Sequence, residues 1–159
     1  MNAKKDRTHG LIPLEVWKTE AAVEIFRKMV TNDYPAPPIG ETFDFGLAEV
    51  ERGRVVFEGK PHARFYNPMG TIHGGFISTL LDSAMACAIH STLEAGKSST
   101  SVELKVNFVR PVFEKTGSLR AVGEIVNVGR QIASAEGKLL DENGKLYAHG
   151  TTTCFIFDL

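Results

Sequence analysis

The segment from Phe76 to Leu93 constrains the fold of this chain more than any other. The pairs Phe76/Ile77, Leu80/Leu81, Ala84/Met85 and Ala88/Ile89 recur every four residues. That spacing predicts a helix whose apolar stripe is broad enough to be buried along most of its length. The opposite side carries only small or polar residues, Gly75, Ser78, Thr79, Asp82, Ser83 and Ala86. Gly96 is the expected C-terminal stop. A helix of this kind needs a surface that wraps it.

The remaining sequence supplies strands. Val102, Leu104, Val106 and Phe108 alternate with Ser101, Glu103, Lys105 and Asn107, a period of two that predicts a strand ending at Pro111. Three more strands are expected at 118–128, 131–140 and 145–157. Asn127-Val-Gly-Arg130 and Asp141-Glu-Asn-Gly144 stand where hairpin turns belong. Before the buried helix, Phe43–Val50 and Arg54–Gly59 form a strand pair about the turn Arg52-Gly53, followed by a loop over 61–71. At the N-terminus, Leu14, Trp17, Ala21, Ile25 and Met29 keep helical spacing. The proline-rich Tyr34–Gly40 then reads as a connector that is neither helix nor inner strand. The economical packing of these parts is α+β, one antiparallel sheet wrapped around one helix. The 159 residues fit one domain, with a helix and connector over 1–40 and the core over 41–159.

With 18 basic and 19 acidic residues and a net charge of −1, nothing directs the chain to nucleic acid or to an anionic membrane. No window approaches the ~18 apolar residues of a spanning helix, and no secretory h-region follows Met1. Cys87 and Cys154 lie in apolar stretches and read as buried thiols of a cytoplasmic protein.

Chemistry concentrates around Asn67-Pro-Met-Gly-Thr-Ile-His73-Gly74-Gly75. The first N–H groups of a helix lack intrahelical partners and carry the positive end of its dipole. Glycine lets a ligand oxygen approach them. Such a site stabilises an oxyanion, although Gly74 and Gly75 also serve tight packing of loop on helix. Asp82 lies on a helix of apolar and small neighbours, where a carboxylate is costly to bury. It is either a hydrogen-bonded structural group, with Ser78 or Thr79 as partner, or a general base or nucleophile. Asp82 is eight residues beyond Gly74, about 12 Å along the axis at ~1.5 Å per residue. If both groups act on one substrate, they come from two subunits related by a two-fold axis.

The motif Asn-x5-His-Gly-Gly-x7-Asp, followed by Thr100-Ser-Val-Glu-Leu-Lys-Val-Asn-Phe-Val-Arg-Pro111, resembles the PaaI-type (phenylacetate-degradation) branch of the hotdog thioesterases. The resemblance runs from about Phe43 to Phe157 and includes the ending Asn143-Gly-Lys-Leu-Tyr-Ala-His-Gly-Thr. It implies hydrolysis of an acyl- or aryl-acyl-CoA thioester by homodimers paired into tetramers. Asp82 would be the general base or nucleophile, and the Gly74 N–H would polarise the carbonyl. Asn67 would orient the reacting groups, His73 would lie near the departing sulfur, and Ser101 would assist the aspartate or its water. Gly75 would contribute to substrate binding. Lys97, Arg110 and Arg130 are candidates for the coenzyme A phosphates, or else solvated turn residues. Coenzyme A is then part of the substrate, and no separate cofactor is expected. Phe76, Met85 and Phe108 read as core rather than as an acyl pocket.

Two other readings stay open at this point. A hotdog hydratase or dehydratase would pair His73 with Asp82, and a non-catalytic acyl-CoA-binding module would bind without turnover. Other signals carry no weight. Gly96-Lys97-Ser98 lacks the leading glycine of a P-loop, and Ser98–Ser101 has no Gly-x-Ser-x-Gly context. The five histidines show no metal-ligand spacing, so no metal site is expected. Neither cysteine has an evident activating partner.

Overall fold

The computed structural model describes residues 7–159. Three short helices, α1 (Leu14–Thr19), α2 (Ala22–Thr31) and α3 (Pro38–Phe43), precede the strands β1 (Phe45–Glu51) and β2 (Arg54–Gly59). The long helix α4 (Gly74–His90) follows. The strands β3 (Lys97–Phe108), β4 (Leu119–Val128), β5 (Ile132–Asp141) and β6 (Leu146–Asp158) complete the chain. All six strands form one sheet in the order β1-β2-β4-β5-β6-β3, and every neighbouring pair is antiparallel. The sheet wraps α4, which packs on five of the six strands. The architecture is therefore the expected α+β hotdog.

The apolar pairs of α4 drive this packing. Leu80, Leu81, Met85 and Ile89 are fully removed from solvent, and each such side chain contributes about 1.5–3 kcal/mol. The sheet comes so close that a Cβ on Gly123 of β4 would stand 2.3 Å from the Ala84 carbonyl oxygen. Only glycine fits there. At the β5–β6 turn, Asp141 Oδ1 accepts from the N–H groups of Asn143 and Lys145, each at 2.9 Å, and Gly144 takes a positive φ of 77°. Both features are what an Asp-x-Asn-Gly hairpin requires.

Three local expectations are corrected. The single helix over 14–30 is broken at Glu20 and Ala21, both extended. The break lets Trp17 and Phe26 both pack against His90, with ring centroids 5.2 and 5.7 Å from it, so tertiary contact overrides helical periodicity. The connector 34–40 is not helix-free, because α3 starts at Pro38. Proline is well suited to a first helical position, where its missing N–H costs nothing. Gly96 does not stop α4, which ends at His90. With φ of 81°, Gly96 instead forms the turn into β3.

The strand β3 is long, lies at one edge of the sheet and, among the described residues, pairs only with β6. Its ladder shifts register between Ser101 and Glu103, a β-bulge that adds Val102 to the strand. Among the described residues, no helix is long and apolar enough to cross a membrane.

Candidate active site

The site grows from the start of α4. His73 is the N-cap, and its Nδ1 accepts from the Gly75 N–H at 2.9 Å. A ring nitrogen that accepts carries no proton, so the neutral imidazole holds its proton on Nε2. Gly75 is thereby occupied by the cap. The Gly74 N–H has no hydrogen-bond acceptor among the described residues, and it is the free donor at the positive end of the helix dipole. A Cβ on Gly74 would stand 2.9 Å from Cζ of Phe108, so the side chain at the end of β3 packs closely on this glycine.

Asn67 braces the approach to the helix. Its Oδ1 accepts from the N–H groups of Met69 and Thr71, at 2.9 and 3.2 Å, and its Nδ2 donates to Thr71 Oγ1 at 2.9 Å. The side chain folds its own turn and presents that turn to a cavity of about 370 Å³ shared with Gly74, Phe108 and Arg110. Arg110 donates to the Leu146 carbonyl at 2.5 Å. Phe108 is 56% exposed, unlike Phe76 at 2% and Met85 at 0%. Core packing therefore holds for the latter two but not for Phe108.

Asp82 is partly buried in the middle of α4. Its Oδ1 accepts from Ser101 Oγ of β3 at 2.9 Å. The alternatives named from sequence are not used, since Thr79 donates to the Gly75 carbonyl at 2.8 Å. Behind Ser101 stands Cys154 of β6, whose Sγ is 3.8 Å from Ser101 Oγ. Both cysteines are free thiols. Burial, with the Asp82 charge second, pushes the Cys87 thiol up to about 12. Burial also raises Cys154. Neither is poised as a thiolate nucleophile.

The structure thus joins Asp82 to Ser101, and Gly74 to Asn67 and Arg110. Lys97 and Arg130 line a different cavity of about 480 Å³ with Phe155 and Phe157, and Lys97 is paired with Asp158 at 2.8 Å. His73 and Gly75 face a third, of about 380 Å³, beside Phe43, Phe65 and Phe76. Sequence reasoning did not find Cys154 as a neighbour of the Ser101–Asp82 pair. The signal lies in β3–β6 register, which no local pattern reveals.

One long helix wrapped by a six-stranded antiparallel sheet defines the hotdog fold, and the relatives of this chain make it a hydrolase of thioesters. The family model described as Thioesterase superfamily matches residues 69–148, and the chain belongs to that family. Acyl-coenzyme A thioesterase 13 of Mus musculus is 31% identical over 102 residues, covering 63% of this chain and 71% of its own. A phenylacetic acid degradation-related protein from Ralstonia eutropha JMP134 superposes with a TM-score of 0.74 at 30% identity, over 82% of this chain and 98% of that one. The PaaI protein of the E. coli phenylacetic acid degradation operon shares the fold, with a TM-score of 0.73 at 18% identity over 86% and 94% of the two chains.

Proposed function

We propose that the chain hydrolyses an acyl- or aryl-acyl-CoA thioester to the free acid and coenzyme A, with two protomers building each site. The observation that carries this reading is how β3 connects the two halves. Ser101, which holds Asp82, lies in the first half of the strand, and Phe108, which covers Gly74, is its last residue. The outer edge of β3 is without a partner strand among the described residues. Val102 and Leu104 on it are 60% and 39% exposed. An unpaired edge of twelve residues is a template for pairing with another strand. Two copies meeting antiparallel about a two-fold axis run the Ser101 part of one strand beside the Phe108 part of the other. Asp82 of one protomer then approaches Gly74 of the other, which removes the separation of about 12 Å along one helix.

In this site the Gly74 N–H donates to the thioester carbonyl oxygen, where negative charge develops. Asp82 takes a proton from water as its oxygen bonds to the carbonyl carbon. The tetrahedral intermediate then collapses, the C–S bond breaks, and coenzyme A leaves as the thiolate. Attack by Asp82 itself, through an anhydride that water opens, yields the same products. His73 offers its Nε2–H near the departing sulfur. Its Nδ1 caps the helix, which leaves Nε2 as the one ring nitrogen of His73 that can meet the substrate. Antiparallel pairing also carries the Lys97 end of one strand past the Arg110 end of the other. Cations from two cavities then gather at one mouth, as the phosphates of coenzyme A require. The same reading takes the chain as a single domain, working as a dimer of dimers in the cytoplasm.

The test is thiol release from a panel of acyl-CoA substrates by the wild-type chain and by Asp82→Asn, with oligomeric state measured by sedimentation. The variant is expected to lose about 10²–10⁴-fold in kcat, the usual contribution of a positioned general base, and to remain dimeric. Normal turnover in folded Asp82→Asn, or full activity in a monomer, refutes the mechanism.

A further inference from the structure

A serine hydroxyl turns among three staggered wells, and Ser101 stands at the β-bulge of an edge strand. Something must keep its proton on Asp82. Ser101 Oγ has one proton, committed to Asp82 Oδ1 at 2.9 Å, so it presents only lone pairs to its other neighbours. Directly across the ladder is Cys154, fully buried, with its sulfur 3.8 Å from that oxygen. Thr152, on the same face of β6, has likewise committed its proton, to the Glu103 carbonyl at 2.7 Å. Burial raises the Cys154 thiol, and the nearby Asp82 charge adds to the rise. The thiol therefore stays protonated. Both hydroxyls around it can only accept, and sulfur is the one atom with a proton to give.

We propose that Cys154 is a positioning residue whose S–H donates to Ser101 Oγ and locks that hydroxyl onto Asp82. The donor order is Cys154, Ser101, Asp82, in one direction only. The bond is weak and long, so its part is orientation rather than strength. Hydrogen bonds in series polarise one another, and a hydroxyl that already accepts is the better donor to the carboxylate. This inference rests on the reading of Asp82 as the acting carboxylate.

The experiment compares Cys154→Val, which keeps volume and loses the donor, with Cys154→Ser, which keeps a donor, and runs Asp82→Asn beside them. For Cys154→Val the expected result is a fall of about two- to fivefold in kcat with KM unchanged. Cys154→Ser is expected to regain most of that loss. The second readout is independent of turnover. In a Cys87→Ala background, the infrared S–H stretch of Cys154 should move to higher frequency when Ser101 is replaced by alanine. An S–H band that ignores Ser101→Ala overturns the proposal, as does equal kcat in Cys154→Val and wild type, or an equal fall in the Val and Ser variants. If Cys154→Val does not fold, the infrared comparison on the native cysteine decides alone. Full activity in Asp82→Asn would refute the catalytic reading instead, and the infrared shift would still judge the Cys154–Ser101 bond.

Discussion

Ser101 Oγ donates to Asp82 Oδ1 across 2.9 Å, tying the edge strand β3 to the central helix α4. Among the described residues it is the one side-chain hydrogen bond to that carboxylate. A bond to a charged group contributes about 1.5–3 kcal/mol. Ser101→Ala is therefore expected to lower kcat by about 10- to 100-fold with KM little changed, measured by thiol release at saturating acyl-CoA. Wild-type turnover in the alanine variant would show that Asp82 needs no such support.

His73 has two ring nitrogens with separable roles. Nδ1 caps α4 through the Gly75 N–H, and loss of an N-cap costs about 1 kcal/mol. His73→Ala should lose that much in urea unfolding. His73→Asn offers a capping oxygen without the Nε2–H, so it should regain the stability while kcat stays low. Recovery of both together would assign His73 to the cap alone.

The exposed edge of β3 makes the dimer testable without touching the carboxylate. Leu104 is 39% exposed on that edge, and lysine on an edge strand discourages strand pairing. Leu104→Lys should shift sedimentation toward monomer. Thiol release should fall in proportion to the dimer lost and recover as protein concentration rises. A monomeric variant with undiminished activity would place both groups of the site within one chain.

His90 gives the fold a pH dependence separate from catalysis. Burial lowers its pKa to about 4, although a hydrogen bond to the Lys97 backbone opposes the shift. Its Nε2 is buried with no partner among the described residues. Because the folded state disfavours the protonated ring, the unfolded chain binds more protons between about pH 6.5 and pH 4. The stabilisation is fully present above pH 6.5 and is lost as pH falls toward 4, by roughly 3 kcal/mol at most. Urea unfolding of wild type and His90→Phe at pH 7 and pH 4.5 should show a steeper loss for wild type. Parallel losses would remove His90 as the cause.

Much of the fold was legible in the sequence because its elements obey single periods. The four-residue recurrence of α4 gives bounds within three residues of those observed, and the strands expected between the hairpin turns, β4, β5 and β6, fall within one. Where tertiary contact competes with local pattern, as in the break between α1 and α2 around His90, the pattern misled. At the site, Gly74 and Asp82 could be singled out because a glycine pair at a helix mouth and a carboxylate on a buried helix both run against local preference. The occupation of Gly75 by His73 had no local signal, since it depends on a side-chain rotamer. Lys97, Arg130 and Arg110 were named together as candidates for the coenzyme A phosphates, and within one chain the first two line a different cavity from the third.

By itself the sequence determined that one buried helix would be wrapped by an antiparallel sheet, because hydrophobic spacing dictates which face of each element must leave water. It also determined that the helix mouth and Asp82 are too far apart to act together in one chain, because helical rise is constant. Only the tertiary structure decided that Ser101 meets Asp82. In a strictly alternating strand Ser101 and Leu104 face opposite sides of the sheet. The bulge at Val102 reverses the phase, so that Ser101 lies across from buried Cys154 and Leu104 across from buried Thr152. A bulge is a property of pairing between two strands, and no single segment of sequence contains it.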